Sequence, residues 1–191
     1  METAASAMHY LRPGSLMLPA LPPLSIYVHL PWCLKKCPYC DFNSHEVRSA
    51  NKLEDALQSR YIDALILDAE SALPLVWGRP IHSIFMGGGT PSLFAPAQIE
   101  RLIAALRARF PLTADCEITL ESNPEDAHLL AEQAAAGINR FSVGAQAFDD
   151  DALRALGRKH DAAASLHAIE AAAATGKRVS LDLIYAREGQ S

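Results

Sequence analysis

Short runs rich in β-branched and apolar residues alternate along this chain with longer stretches of helical period, and that alternation confines the fold to βα architecture. Five runs read as strands, at residues 25–30, 81–86, 117–121, 140–145 and 179–185. Most are continuous apolar runs such as Ile81-His82-Ser83-Ile84-Phe85-Met86, the pattern of strands buried on both faces of a parallel sheet. Leu53, Leu57, Tyr61, Leu65 and Ala69 lie on one face of a first helix. Ile99, Leu102, Ile103 and Leu106 do the same for a second, with Pro96 placed to start it. A third helix runs from about Glu125 to a stop at Gly137, and a fourth from an N-cap at Asp161 to Gly176.

A series of right-handed βα crossovers either closes into a barrel or opens into a doubly wound sheet, and five strands permit both. A whole barrel takes about 250 residues, and no helix follows the fifth strand to cover it. The expected organisation is therefore an N-terminal extension, residues 1–24, and an incomplete core, residues 25–191, with later βα units missing.

Half of the 191 residues are hydrophobic, enough for one sizeable core. A net charge of −5 provides no basic field for phosphate contacts, so no nucleic-acid partner is expected. Residues 1–23 lack the basic start of a signal peptide, and Pro19, Pro22 and Pro23 break their apolar stretch. No membrane span is expected, and the expected compartment is the cytoplasm. Three of the four cysteines fall within eight residues, the usage of a reducing compartment where clustered thiols act as ligands or redox groups.

Those three, Cys33, Cys37 and Cys40, sit in a CxxxCxxC loop directly after the first strand, at the sheet edge where α/β proteins place their chemistry. Each thiolate can take a different iron of a 4Fe-4S cubane, leaving the fourth iron without a protein ligand and open to substrate or cofactor. Rival readings are a thiol-disulfide pair at Cys37 and Cys40, which leaves Cys33 without a role, and a zinc site completed by His29 or His45, which lacks a second separated knuckle. An electron-transfer cluster using Cys116 is the third; that residue lies at the start of a predicted strand and reads better as a buried small hydrophobe.

The approach Tyr27-x-His29-x-Pro31-x-Cys33, the CxxxCxxC spacing and Gly87-Gly88-Gly89-Thr90-Pro91-Ser92 after the second strand together resemble radical S-adenosylmethionine (SAM) proteins of the oxygen-independent coproporphyrinogen III oxidase-like group. The likeness continues through Glu121-Ser122-Asn123-Pro124, Ser142-Val143-Gly144-Ala145-Gln146, Leu156-Gly157-Arg158-Lys159-His160 and Asp182-Leu183-Ile184-Tyr185. It implies a partial (βα) radical SAM barrel of parallel strands. It also implies a 4Fe-4S cluster on Cys33, Cys37 and Cys40, with exchangeable SAM on the open iron. Tyr27 and Tyr39 would flank SAM, Gly88, Gly89 and Thr90 would contact it, and Glu121 would bind it through its carboxylate. Gln146, Arg158 and Asp182 resemble contacts to a second SAM in the oxidase branch; taken alone, Arg158 reads as a surface cation near a helix C-terminus. In such proteins one electron entering the cluster cleaves SAM, and the resulting 5′-deoxyadenosyl radical abstracts hydrogen.

Within the group, the oxidase carries a further cysteine two positions after the third ligand, where this chain has Phe42. The loop Cys-Pro-Tyr-Cys-Asp-Phe-Asn resembles instead the haem-chaperone branch, which implies haem as a further ligand of the full-length protein and partners in a haem acceptor and an electron donor. The alternatives are oxidative decarboxylation of a porphyrinogen and an inactive truncated product whose exposed last strand associates. Two features depart from the chaperone branch. Glu188 stands where it has Pro before Gly-Gln, which frees a rigid turn, and its haem-binding His-Asn motif is expected beyond Ser191. Among the histidines, His29 is placed to orient the cysteine loop. His9, His45, His82, His128, His160 and His167 are scattered, and no spacing singles one out as a haem ligand.

Overall fold

A computed structural model describes residues 20–47, 53–187 and 189–190. Most of the expected extension, and Glu188, lie outside the described residues. Five strands form one parallel sheet: β1 (Leu24–Leu30), β4 (Ile81–Gly88), β5 (Leu112–Ser122), β6 (Arg140–Gln146) and β7 (Arg178–Leu183). Their order, β1-β4-β5-β6-β7, follows the chain without reversal. Right-handed crossovers in that order place every helix on one side, so the sheet is the arc of a barrel and not a doubly wound sheet. The strand expected at 179–185 is shifted, because Ile184 leaves the ladder to hydrogen-bond Gln146 O. The one expected at 117–121 begins earlier, at Leu112.

The helices are α1 (Asp55–Val76), α2 (Pro96–Arg109), α3 (Leu130–Ala135), α4 (Asp150–Ala155) and α5 (Ala162–Ala174). Pro96 does open α2, whose Ile99, Leu102, Ile103 and Leu106 are buried. Asp161 caps α5, its side chain accepting from Ala164 N at 2.7 Å. The single third helix expected from Glu125 is instead a 3₁₀ segment, Pro124–Leu129, followed by α3. Asp126 is drawn inward to a 2.6 Å hydrogen bond from Ser92 Oγ, which fits the tighter winding of that stretch.

The core lies between helices and the outer face of the sheet, where Val28, Leu30, Ile84, Met86, Ile118, Leu120, Phe141 and Val143 are buried with Cys116 among them. Burial on both faces, expected from the apolar runs, forms at the central strands, where Thr119 and Ser142 are buried on the inner face, but not at Ser25 and Tyr27 of β1 or along β7. The inner face carries Ser25, Tyr27, His29, Ser83, Phe85, Glu117, Thr119, Arg140, Ser142, Ser180 and Asp182, which register pairing sets in rows. These polar side chains satisfy one another: Ser83 Oγ donates to Ser25 Oγ at 2.7 Å, and Arg140 and Arg178 reach Glu117 at 2.8 and 3.0 Å.

Candidate functional site

The C-terminal ends of the five strands open onto a cleft, the place where such folds put their ligands. It is lined by Cys33, Cys37 and Cys40 from the loop after β1, Gly88, Gly89 and Thr90 from β4 and its loop, Glu121 and Asn123 from β5, Ser142, Gly144 and Gln146 from β6, Arg158 after α4, and Asp182 from β7. Tyr39 and Phe42 line it from the cysteine loop. Of the residues expected to hold the cluster or contact SAM, Tyr27 alone is not in this lining. It sits on the inner face of β1 with its ring stacked on Phe85 at 6.3 Å, beside Glu121, whose charge together with burial pushes the phenol up.

The cysteine loop is shaped by its own backbone. A two-residue strand β2 (Trp32–Cys33) pairs with β3 (His45–Glu46), so the loop returns to its start. His29 fastens it from below. Its Nε2 faces Asn43 O at 2.9 Å, and since a carbonyl only accepts, Nε2 carries the proton in the neutral ring; Nδ1 then accepts from Tyr27 OH at 3.0 Å. The expected orienting role of His29 is thus what the geometry shows. Trp32 packs edge-on to Tyr61 at 4.6 Å, and Tyr61 OH donates to His29 O.

The three thiols are half-buried. Burial pushes the Cys33 thiol up, opposed by the hydroxyls of Thr90 and Ser44, and the neighbouring Cys40 and Cys37 raise it further. All three line the same cleft. Among the described residues no three Cys, His, Asp or Glu side chains converge on one point as ligands of a single ion do; a cubane does not ask for that, because each thiolate takes its own iron. Cys116 is 5% exposed in the core and remote from the cleft lining.

The glycine run after β4 is required by contact. Gly88 holds φ +111°, and a β-carbon there would stand 2.4 Å from the His29 ring. One on Gly89 would meet the Trp32 carbonyl oxygen at 2.6 Å. Glu121 Oε2 accepts from Gly88 N at 3.2 Å; burial raises this carboxyl, the Gly88 hydrogen bond opposes the shift, and Asp182 adds to it. Thr90 Oγ1 accepts from Asn123 Nδ2 at 3.0 Å, and Asn123 Oδ1 accepts from Arg158 at 2.7 Å. Ser142 Oγ donates to Asp182 at 3.2 Å. Gln146 ends β6 in the left-handed region, φ +66°, a strained conformation of the sort found at functional sites.

Arg158 is not the surface cation its sequence context suggests: it reaches into the cleft. Tyr39 beside it is pushed up to about 12 by burial, which outweighs the opposing pull of Arg158 and is helped by Cys37. Asn123 and Ser142 were quoted only within motifs, and their bridging roles had no signal in the sequence beyond a polar residue at a strand end. Between Arg158 and Asp182 the cleft holds both signs of charge, with thiols at one wall.

Fold and cleft together define the class, and the chain belongs to the radical SAM superfamily, whose family model matches residues 27–191. More narrowly, it is 41% identical over 174 residues to the heme chaperone HemW of Escherichia coli (strain K12), spanning 90% of this chain and 45% of that protein. The heme chaperone HemW of Haemophilus influenzae is 42% identical over 181 residues, 91% and 46% of the two chains. Among solved structures, the coproporphyrinogen III oxidase HemN of Escherichia coli, a radical SAM enzyme, superposes with a TM-score of 0.74 at 35% identity, over 85% of this chain and 37% of its own. The chain therefore spans less than half the length of these relatives. Among the described residues no helix is long and apolar enough to cross a membrane.

Proposed function

We propose that residues 25–191 form the cluster- and SAM-binding part of a haem-handling protein similar to HemW. The observation that carries the reading is the gathering of Cys33, Cys37 and Cys40 with the glycine strap and Glu121 in one cleft at the strand ends. In this reading the three cysteines hold a 4Fe-4S cluster. The donor set fits it: three soft thiols, half-buried, lining one cleft. Bound there, the cluster supplies one electron from a separate donor to SAM on its open iron.

The chain's own residues bind and orient. Gly88 and Gly89 offer a backbone edge with no side chain in the way, Thr90 continues that wall with its hydroxyl on Asn123, and Glu121 and Asp182 offer carboxylates to the cationic groups of SAM. Gln146 is held over the cleft by its backbone conformation. Tyr39 lines the cleft beside Cys37 and Arg158, and Tyr27 stands beside Glu121. Phe42, 64% exposed at the cleft mouth, occupies the place of the oxidase's further cysteine, which favours haem handling over decarboxylation.

The test is haem titration of the anaerobically reconstituted full-length protein that carries these residues, paired with a porphyrinogen turnover assay. Haem binding without turnover is the expected result. Protoporphyrinogen formation without haem binding would overturn the reading in favour of the oxidase, and failure of the full-length protein to bind haem would remove the haem-handling role.

A further inference from the structure

Gly157 and Arg158 follow α4 where the chain turns back against the cysteine loop. Gly157 holds φ +72°, and a β-carbon on it would come within 2.7 Å of Pro38. From there the Arg158 guanidinium makes three contacts. Nη2 donates to Asn123 Oδ1 at 2.7 Å and to Gly144 O at 3.1 Å, and Nη1 donates to Cys37 Sγ at 3.5 Å. The anchors are themselves fixed. Asn123 is tied to Thr90, while the side chain of His160, fully buried, contacts Ala145 O at 3.2 Å and Glu125 at 3.5 Å and so pins the loop that carries Arg158. A planar guanidinium whose Nη2 is held on two oxygens directs Nη1 to the sulfur with little freedom to move away. Lys36, in the cysteine loop itself, sends its ammonium to Phe42 O and Ser44 O.

We propose that Arg158 is a positioning residue for the iron-sulfur centre, its Nη1–H on the Cys37 sulfur raising the centre's reduction potential and so favouring electron entry. This deepens the reading above and rests on it for the presence of the cluster. Reduction adds one negative charge shared with the ligand sulfurs, and a cationic donor on one of them stabilises the reduced form more than the oxidised. Net charge and hydrogen bonds to sulfur are among the factors that set iron-sulfur potentials. The half-buried position of Cys37 limits screening by water.

The experiment compares the wild-type chain with Arg158→Gln, Arg158→Lys and, as a control for removing a nearby charge, Lys159→Gln. Each is reconstituted anaerobically, assayed for iron, and titrated potentiometrically with the reduced cluster followed by electron paramagnetic resonance. Arg158→Gln is expected to keep its iron while its reduction equilibrium constant falls about tenfold, a shift of about 59 mV to more negative potential for one electron. Arg158→Lys keeps the charge but loses the fork and should fall between; Lys159→Gln should match wild type. An unchanged potential in an iron-replete Arg158→Gln overturns the proposal and leaves the cluster assignment standing. If that variant loses iron, the potential of Arg158→Lys decides, and no shift there overturns it equally. Failure of the wild-type chain to take up iron would instead remove the cluster reading and this proposal with it.

Discussion

Val28, Met86, Leu120, Phe141 and Val179 form one row across the outer face of the sheet, and a single residue away Tyr27, Phe85, Thr119, Arg140 and Arg178 form a row across the inner face. The first row is apolar and packed against helices, the second polar for most of its length and open toward the barrel interior. Alternation along each strand therefore divides labour: hydrophobic burial holds the arc together on one side, while the other side delivers polar groups to the cleft at the strand ends. Substitutions on the two faces should then separate, with stability lost from one and ligand binding from the other.

The sharpest break of that division is Phe141→Ala, which empties a fully buried site on the outer row. It should cost about 3–5 kcal/mol in chemical denaturation; a loss below about 1 kcal/mol would show that the outer face is not where the fold is held. Gly89→Ala is next. Its β-carbon would stand 2.6 Å from Trp32 O, a backbone atom that cannot swing aside, so a stability loss of about 1–3 kcal/mol is expected from overpacking. SAM affinity, read by equilibrium binding to the reconstituted chain, should fall at least about tenfold because the cysteine loop must shift. Normal affinity would mean that the strap does not shape the site.

Glu125 probes the seam between faces by pH. Burial alone would raise its carboxyl, but the contact with His160 at 3.5 Å, its own backbone N–H and the charge of Arg158 leave it below the ordinary value. A carboxyl lowered in the fold contributes stability that is complete above its unfolded value and is lost as pH falls through the folded one. Denaturation midpoints of the wild-type chain should therefore decline through and below the ordinary carboxylate range, and Glu125→Gln should remove that part of the slope. Parallel curves for the two proteins would contradict the pairing. At the small end, Arg178→Ala on the inner row removes an ion pair whose cation is 66% exposed, and stability should change by no more than about 0.5 kcal/mol.

The outer face was legible because Ile84, Ile118, Phe141 and Val143 advertise buried strands and because Pro96, Asp161 and Gly176 punctuate helices by local mechanisms. The cleft was legible where its residues fall in motifs at strand ends. Contacts set by tertiary approach were not. Arg158 reaches Cys37 across 121 positions, and nothing near it in sequence distinguishes it from a solvated arginine. The β2–β3 pairing has no periodicity to read, since it is two residues long and closed by His45 N on Pro31 O. The left-handed turn at Gln146 falls at a residue type that rarely adopts it. The hydroxyl of Tyr27, expected to flank SAM, is engaged by His29 two residues on, a contact that no motif announces.

The central claim is that three thiols, and not Cys116, hold the iron-sulfur centre. Cys33→Ala, Cys37→Ala, Cys40→Ala and Cys116→Ala should each be reconstituted anaerobically, assayed for iron, and examined for the change that SAM induces in the paramagnetic resonance of the reduced cluster. Loss of iron or of the SAM-induced change in each of the first three, with both intact in Cys116→Ala, is the predicted result. Retention of both in all of the first three, or loss confined to Cys116→Ala, would contradict it.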